Sequence, residues 1–189
     1  MPQQLYFTDS EDANRLIASD PMALLIGFAL DQQVSVQKAF MGPHVLRDRV
    51  GSIEPGVLAG ADLEAVFRER PAIHRFPGAM ARRVQELAVH VRDDYDGDAG
   101  RIWGEAQDVS DLRARLAALP GFGEMKVTAL GSVLAKRFGV AAAEGLVPGH
   151  TTLGDVDSAQ ALADYQAAKR AHKAERAAGS RSTKRPRPM

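Results

Sequence analysis

The chain has 189 residues, 45% hydrophobic and 25% charged with no formal net charge, an ordinary globular composition in a length that buries a core without covalent staples. Cysteine is absent, which excludes disulfides, thiolate nucleophiles and cysteine-ligated zinc or iron–sulfur clusters. No apolar run approaches the ~20 residues that span a bilayer, and the opening MPQQLYFTDSED has neither the charged start nor the apolar stretch of an export signal; a cytoplasmic protein without a membrane partner is expected.

Helix signals dominate. Asp20-Pro21 reads as a cap with proline at the first helical position, opening the apolar run 22–30. That run is apolar nearly all round, so it belongs at the centre of the fold. A second helix is expected over 33–49, ended by Gly51, and a short one from the Asp62 cap to Arg70, stopped by Pro71. After Phe76-Pro77-Gly78, Met80, Val84, Leu87 and Val91 recur at helical spacing, with Arg82, Arg83 and Arg92 among the intervening positions. The acidic stretch 93–100 lacks the positional pattern of a calcium loop and reads as a solvated turn. Ser110 is the expected cap of a helix carrying Leu112, Leu116 and Leu119. A further helix places Val127, Leu130, Leu134 and Phe138 on one face and ends at Gly139. Residues 140–154 read as irregular, and a last helix runs from about Ser158 into the C-terminal end. The fold class is all-α, with about eight helices and no convincing alternating strand.

Charge is unevenly spread. From Lys169 onward eight basic residues meet one acid, Glu175, which leaves the preceding body with seven more acids than bases. A basic end of this kind reads as an arm for a polyanion, nucleic acid first. The alternative is a solvated helix tip followed by a disordered end. Residues 179–189, GSRSTKRPRPM, are expected to be without fixed structure on either reading.

Leu119-Pro120-Gly121-Phe122-Gly123 lies between two amphipathic helices with no room for a longer loop. Two glycines two apart permit backbone conformations closed to other residues, so the helices reverse tightly. They also leave bare N–H groups at the positive end of the second helix, a site suited to an anion such as a DNA phosphate. The competing reading is a plain helix–helix turn. Other chemistries find little support. His44, His74, His90, His150 and His172 are scattered without ligand spacing, and no nucleophile-elbow sequence supports a Ser-His-Asp hydrolase.

The segment LPGFGEMKVTALGSVLAKRFG, which begins at Leu119, resembles the helix-hairpin-helix element of base-excision DNA glycosylases, the superfamily that includes endonuclease III, the adenine glycosylase of mismatch repair and the alkylpurine glycosylases. Two further segments match in the expected order. Leu30-Asp31-Gln32-Gln33-Val34-Ser35 is similar to the glutamine-bearing helix start found early in these enzymes, and Arg75-Phe76-Pro77-Gly78-Ala79-Met80-Ala81-Arg82-Arg83-Val84 resembles the loop and helix midway to the hairpin. The resemblance implies two helical lobes over residues 1–178 with a cleft between them, double-stranded DNA as partner, and a monomer. It implies that Gly121 and Gly123, with the intervening Phe122, present the hairpin to a phosphate, with a monovalent cation held by hairpin carbonyls. Gln33 would approach the gap left by an extruded base, since the sugar C1′ cannot be reached within the stack. Ile73, His74 or Phe76 would supply a wedge, core packing being the competing reading for Phe76.

The pattern also departs from the family. The lysine of lyase-active members would stand two residues past the second hairpin glycine, where this chain has Met125, which is left to line the base pocket. Lys126 is rotated by ~100° around the helix and is expected to face away, touching a phosphate or water. A monofunctional enzyme follows, without a Schiff base. The catalytic aspartate, expected about twenty residues past the hairpin, is missing there; Glu144 is the nearby acid. Val156-Asp157-Ser158 has the right local pattern if 140–154 holds an insertion, making Asp157 the first candidate, with Glu144 and Asp155 behind it. Asp157 to Gln160 also reads as a helix cap with its returning glutamine. The rivals are a helix-hairpin-helix DNA-binding module without catalysis and an all-α interaction protein without DNA affinity.

Overall fold

The computed structural model describes the backbone of residues 1–182 and the side chains of 1–175. Among the described residues it is all-helical, with no strand. Ten α-helices are joined by short connections, with two 3₁₀ turns between the last two.

Asp20 links the first two helices. Helix α1, Glu11–Ser19, is capped by the Ser10 hydroxyl, which accepts from the Ala13 N–H, and it ends at Asp20. The same Asp20 carboxylate accepts from the N–H groups of Met22 and Ala23 and so starts α2, Pro21–Leu30, with proline at its first position. The two helices meet at a bend of 113°. Asn14, buried in α1, accepts from the Phe7 and Thr8 N–H groups and donates to the Thr8 carbonyl, which fastens the N-terminal segment to the core. The sequence reading passes over α1, whose nine residues carry several polar positions.

Every residue of α2 after Pro21 is buried. It packs on α1, on α3 (Val36–Val50) and on α6 (Pro77–Asp94), so the expectation of a central helix holds. Glycine sets how near α3 comes. A Cβ on Gly27 would lie 2.3 Å from the Phe40 ring, and one on Gly42 would lie 2.3 Å from Leu30. Phe40 also meets Phe7 and Phe28 edge-on, with centroids 4.9 and 5.1 Å apart. Helix α3 begins later than expected, capped by Ser35, and closes on Gly51 in the left-handed region at φ +87°. Residues 31–35 are therefore a loop. Helices α4 (Pro55–Gly60) and α5 (Leu63–Arg68) lean on α6, whose buried Met80, Val84, Leu87 and Val91 form the expected apolar face.

The C-terminal half is built around α9, Glu124–Phe138. Helix α7 (Arg101–Gly104) packs on α8 (Val109–Ala117), which is capped by Asp108 rather than by Ser110. Helix α9 buries Val127, Leu130, Val133 and Leu134, each worth about 1.5–3 kcal/mol when withdrawn from water. The stretch that reads as irregular forms two 3₁₀ turns, Ala141–Leu146 and Leu153–Asp155, both packed on α9. Leu146 sits over Gly131, and Gly154 lies so near the Ser132 carbonyl that a Cβ there would be 2.4 Å from its oxygen. Helix α10, Ala159–Ser182, docks through its first turns and is solvent-exposed over 167–175. It includes 179–182, the start of the end expected to lack structure; 183–189 lie outside the described residues.

Candidate nucleic-acid interface

Two clusters meet where α2 ends and α9 begins. The first is the turn 118–123. Leu119 and Phe122 are buried and anchor it, and the Phe122 N–H donates to the Leu119 carbonyl. Gly121 adopts φ +79°, so the tight reversal does rest on a glycine. Gly123 caps α9 in an extended conformation without any side-chain hydrogen bond, and nothing lies within 4 Å of where its Cβ would be. Lys126 and Val127 supply the first N–H groups bonded within the helix, both to the Gly123 carbonyl. The earlier amides of α9 thus open on solvent at the positive end of the helix. Arg83 of α6 lies across Gly121, its guanidinium where a Cβ would be. Glu124 puts a negative charge in the first turn and is ion-paired with Arg113. The carbonyl of Gly123 accepts two N–H groups, which leaves the other hairpin carbonyls as the candidate ligands for the monovalent cation expected at the turn.

The second cluster centres on Asp31, the residue that ends α2. Its N–H bonds back to Gly27 and Phe28. Burial pushes its carboxyl above the ordinary aspartate range, while the Lys169 and Lys126 charges pull the other way. Lys126 is half-buried and reaches across to donate to the Ala29 carbonyl at 3.0 Å, with its ammonium 5.7 Å from the Phe122 ring. Burial lowers its pKa, the Asp31 charge raises it, and the Arg83 charge lowers it again. Tyr165 of α10 completes the group, its phenol pushed up by burial and by Asp31. Gln166, the next residue, donates to the Gln37 carboxamide at 2.7 Å and ties α10 to α3.

The loop between these clusters is held from below. The His74 Nε2–H points at the Leu30 and Gln32 carbonyls, both at 3.1 Å, and Nδ1 accepts from the Phe76 N–H at 3.0 Å. That arrangement is the neutral tautomer, and burial lowers the His74 pKa in keeping with it. Lys38 and Arg49 of α3 bond four carbonyls, of Val66, Glu69, Pro71 and Ala72, and fix the segment that carries His74. Above it Gln33 is exposed at φ +57°, a left-handed conformation uncommon outside glycine.

Several expectations change here. Met125 is 86% exposed and lines no pocket, because α9 turns that position to solvent. Lys126 faces inward, the reverse of the expected rotation. Phe122 is buried as the anchor of the turn, so its side chain is withheld from any ligand. Ile73 and His74 are buried and cannot wedge, whereas Phe76 stands 40% exposed with the Arg75 guanidinium 5.3 Å from its ring, so core packing does not account for it. Asp157 is exposed, and the cap of α10 is Ser158, whose hydroxyl accepts from the Ala161 N–H; Gln160 bonds Asp164 instead of returning. Asp155 caps its own 3₁₀ turn and pairs with Lys136, the bonds that hold its carboxyl below the usual range against burial, and Glu144 is exposed. Asp31, Arg83 and Tyr165 were not singled out by the sequence. The available signal was position: a carboxylate ending a helix that is apolar all round must sit against the core.

A scan of known protein families, a search of curated proteins and a search of solved structures each find no match for the chain.

Proposed function

We propose that this protein is a base-excision DNA glycosylase of the helix-hairpin-helix kind, hydrolysing the N-glycosidic bond of a damaged or mispaired base extruded from duplex DNA. On this reading α8, the turn 118–123 and α9 are the hairpin. Helices α1–α6 and α7–α10 are its two lobes, with the Asp31 cluster in the cleft. The observation that carries the reading is the open, uncapped start of α9 at Gly123 with the Arg83 guanidinium across Gly121. Bare amides, a helix dipole and a guanidinium converging on one exposed spot suit a phosphate. Gln33, standing in solvent on a loop pinned by His74, is the candidate to enter the gap left by the extruded base.

Phosphate contacts make binding steeply salt-dependent, so duplex affinity is expected to fall strongly as salt rises. Duplexes carrying uracil, hypoxanthine, oxidised guanine or an alkylpurine, incubated and then treated with alkali, are expected to break at one of these lesions. No break is expected before alkali, as for a monofunctional enzyme. Salt-dependent binding without cleavage at any lesion would replace this reading by a binding module without catalysis, which the exposure of both Asp157 and Glu144 favours. Affinity that survives high salt, or none at all, would remove both.

A further inference from the structure

Asp31 differs from the other aspartates that end or begin helices. Asp20, Asp62, Asp108 and Asp155 each accept from a backbone N–H, and Asp94, the last residue of α6, pairs with His90, so each has a partner within the fold. Among the described residues no hydrogen bond or ion pair holds the half-buried Asp31 carboxylate, while Lys126 reaches the Ala29 carbonyl two residues before it. A carboxylate half withdrawn from water without a bonding partner is unfavourable for folding, and such groups mark places where a ligand supplies what the protein withholds. The surroundings are assembled from three helices far apart in sequence. Lys126 comes from the first turn of α9, three residues beyond Gly123; Tyr165 and Lys169 come from α10, with the Lys169 ammonium 5.8 Å from the Tyr165 ring.

We propose that Asp31, and not Asp157, is the catalytic carboxylate facing C1′ of the extruded nucleotide, with Lys126 as the residue that positions and tunes it. The inference rests on the glycosylase reading above. The chemistry closes with water alone. The C1′–N bond breaks and its electron pair stays on the base nitrogen, while ionised Asp31 stabilises the positive charge left on the sugar. A water oxygen then bonds C1′, one of its protons passes to the Asp31 carboxylate, and Asp31 hands that proton to the departing base nitrogen. Nothing is oxidised or reduced. Tyr165 and Lys169 close the side of the site formed by α10. Lys126, bonded to the Ala29 carbonyl two residues before Asp31, sets a positive charge against the upward push that burial gives the carboxyl.

Base release under single turnover and affinity for a duplex with a tetrahydrofuran abasic analogue are to be measured on the full chain for the native protein, Asp31→Asn, Asp157→Asn, Lys126→Met and Lys126→Arg. Asp31→Asn is expected to slow release by at least ~100-fold while binding the analogue nearly as well, and Asp157→Asn to behave as the native protein. Lys126→Met should move the acidic limb of the release profile to higher pH, and Lys126→Arg should restore it. Release lost in Asp157→Asn and kept in Asp31→Asn overturns the assignment and leaves the glycosylase reading standing. Binding with no release by the native protein overturns both. Asp31→Asn carries its own folding check, because replacing a poorly solvated charge by an amide of equal size should leave the thermal midpoint unchanged or higher. A carbon-detected titration of the Asp31 carboxyl, with and without the abasic duplex, gives a readout free of turnover. An unmoved titration on binding would show that Asp31 does not meet the nucleotide.

Discussion

Gly121 and Gly123 act differently although only one residue separates them. Gly121 supplies a positive φ beneath Arg83, and any side chain there would collide with the guanidinium. Gly123 has ordinary dihedrals and open space, so nothing within the fold demands a glycine there. Aspartate suits a helix cap, so Gly123→Asp is expected to keep or slightly raise thermal stability. The same change should cut duplex affinity by about tenfold or more, since it places a negative charge where a phosphate would bind. Equal affinity in both proteins, read by fluorescence anisotropy at low salt, would exclude this turn from the interface. His74 yields a second expectation. Burial, with the Lys38 and Lys126 charges behind it, lowers its pKa in the folded protein. The folded state therefore binds fewer protons than the unfolded chain. The stability this group contributes is fully present above the unfolded value near 6.5 and is lost as pH falls through the folded one. Thermal unfolding followed from pH 7 to about 5 should show that loss. In His74→Asn this part of the slope should flatten, with stability at neutral pH lower by ~1–3 kcal/mol from the unmet Leu30, Gln32 and Phe76 groups.

At the scale of elements, the fold is held by helices brought close through small residues. Gly27→Ala puts a methyl 2.3 Å from the Phe40 ring, which is itself wedged between Phe7 and Phe28, so neither partner yields easily. Overpacking of this kind lowers stability by ~1–3 kcal/mol, readable as a drop in denaturation midpoint, whereas Gly56→Ala, with open space around it, should leave the midpoint nearly unchanged. The elements were also the most legible part of the sequence. The Asp20-Pro21 signal, the 3.6-residue periodicity of α6 and α9, and the stops at Gly51 and Gly139 all recur in the structure. What stayed hidden was tertiary. The inward turn of Lys126 depends on where α2 ends, and the start of α3 at Val36 on a loop clamped by His74, 42 positions beyond Gln32. Local patterns also compete with themselves: Ser110 and Asp157 are each good caps, but a neighbour, Asp108 or Ser158, takes the role.

For the whole molecule, the arrangement near Asp31 depends on segments far apart in the chain. Leu162 is buried and fixes the first turns of α10, while Tyr165 and Gln166 face the Asp31 cluster and α3. One alanine inserted between Leu162 and Tyr165 would turn everything beyond it by ~100°. The core packing of Leu162 should survive, so the expected thermal midpoint is close to native. The Tyr165 phenol, carried away from burial and from Asp31, should then titrate nearer its ordinary value, as ultraviolet titration against Tyr165→Phe would report. An unshifted phenol would mean that α10 does not wall the cluster.

The carboxamide pair Gln37–Gln166 joins positions 129 apart, so the chain returns on itself and α10 is tied back to α3. Between α9 and α10 the stretch 147–158 is no slack connector, because Thr152, Leu153, Gly154 and Val156 are buried and the 3₁₀ turn packs on α9. Shortening or extending that stretch would therefore cost interior packing as well as the register of α10 against α3, so the length of this connection is fixed from both sides.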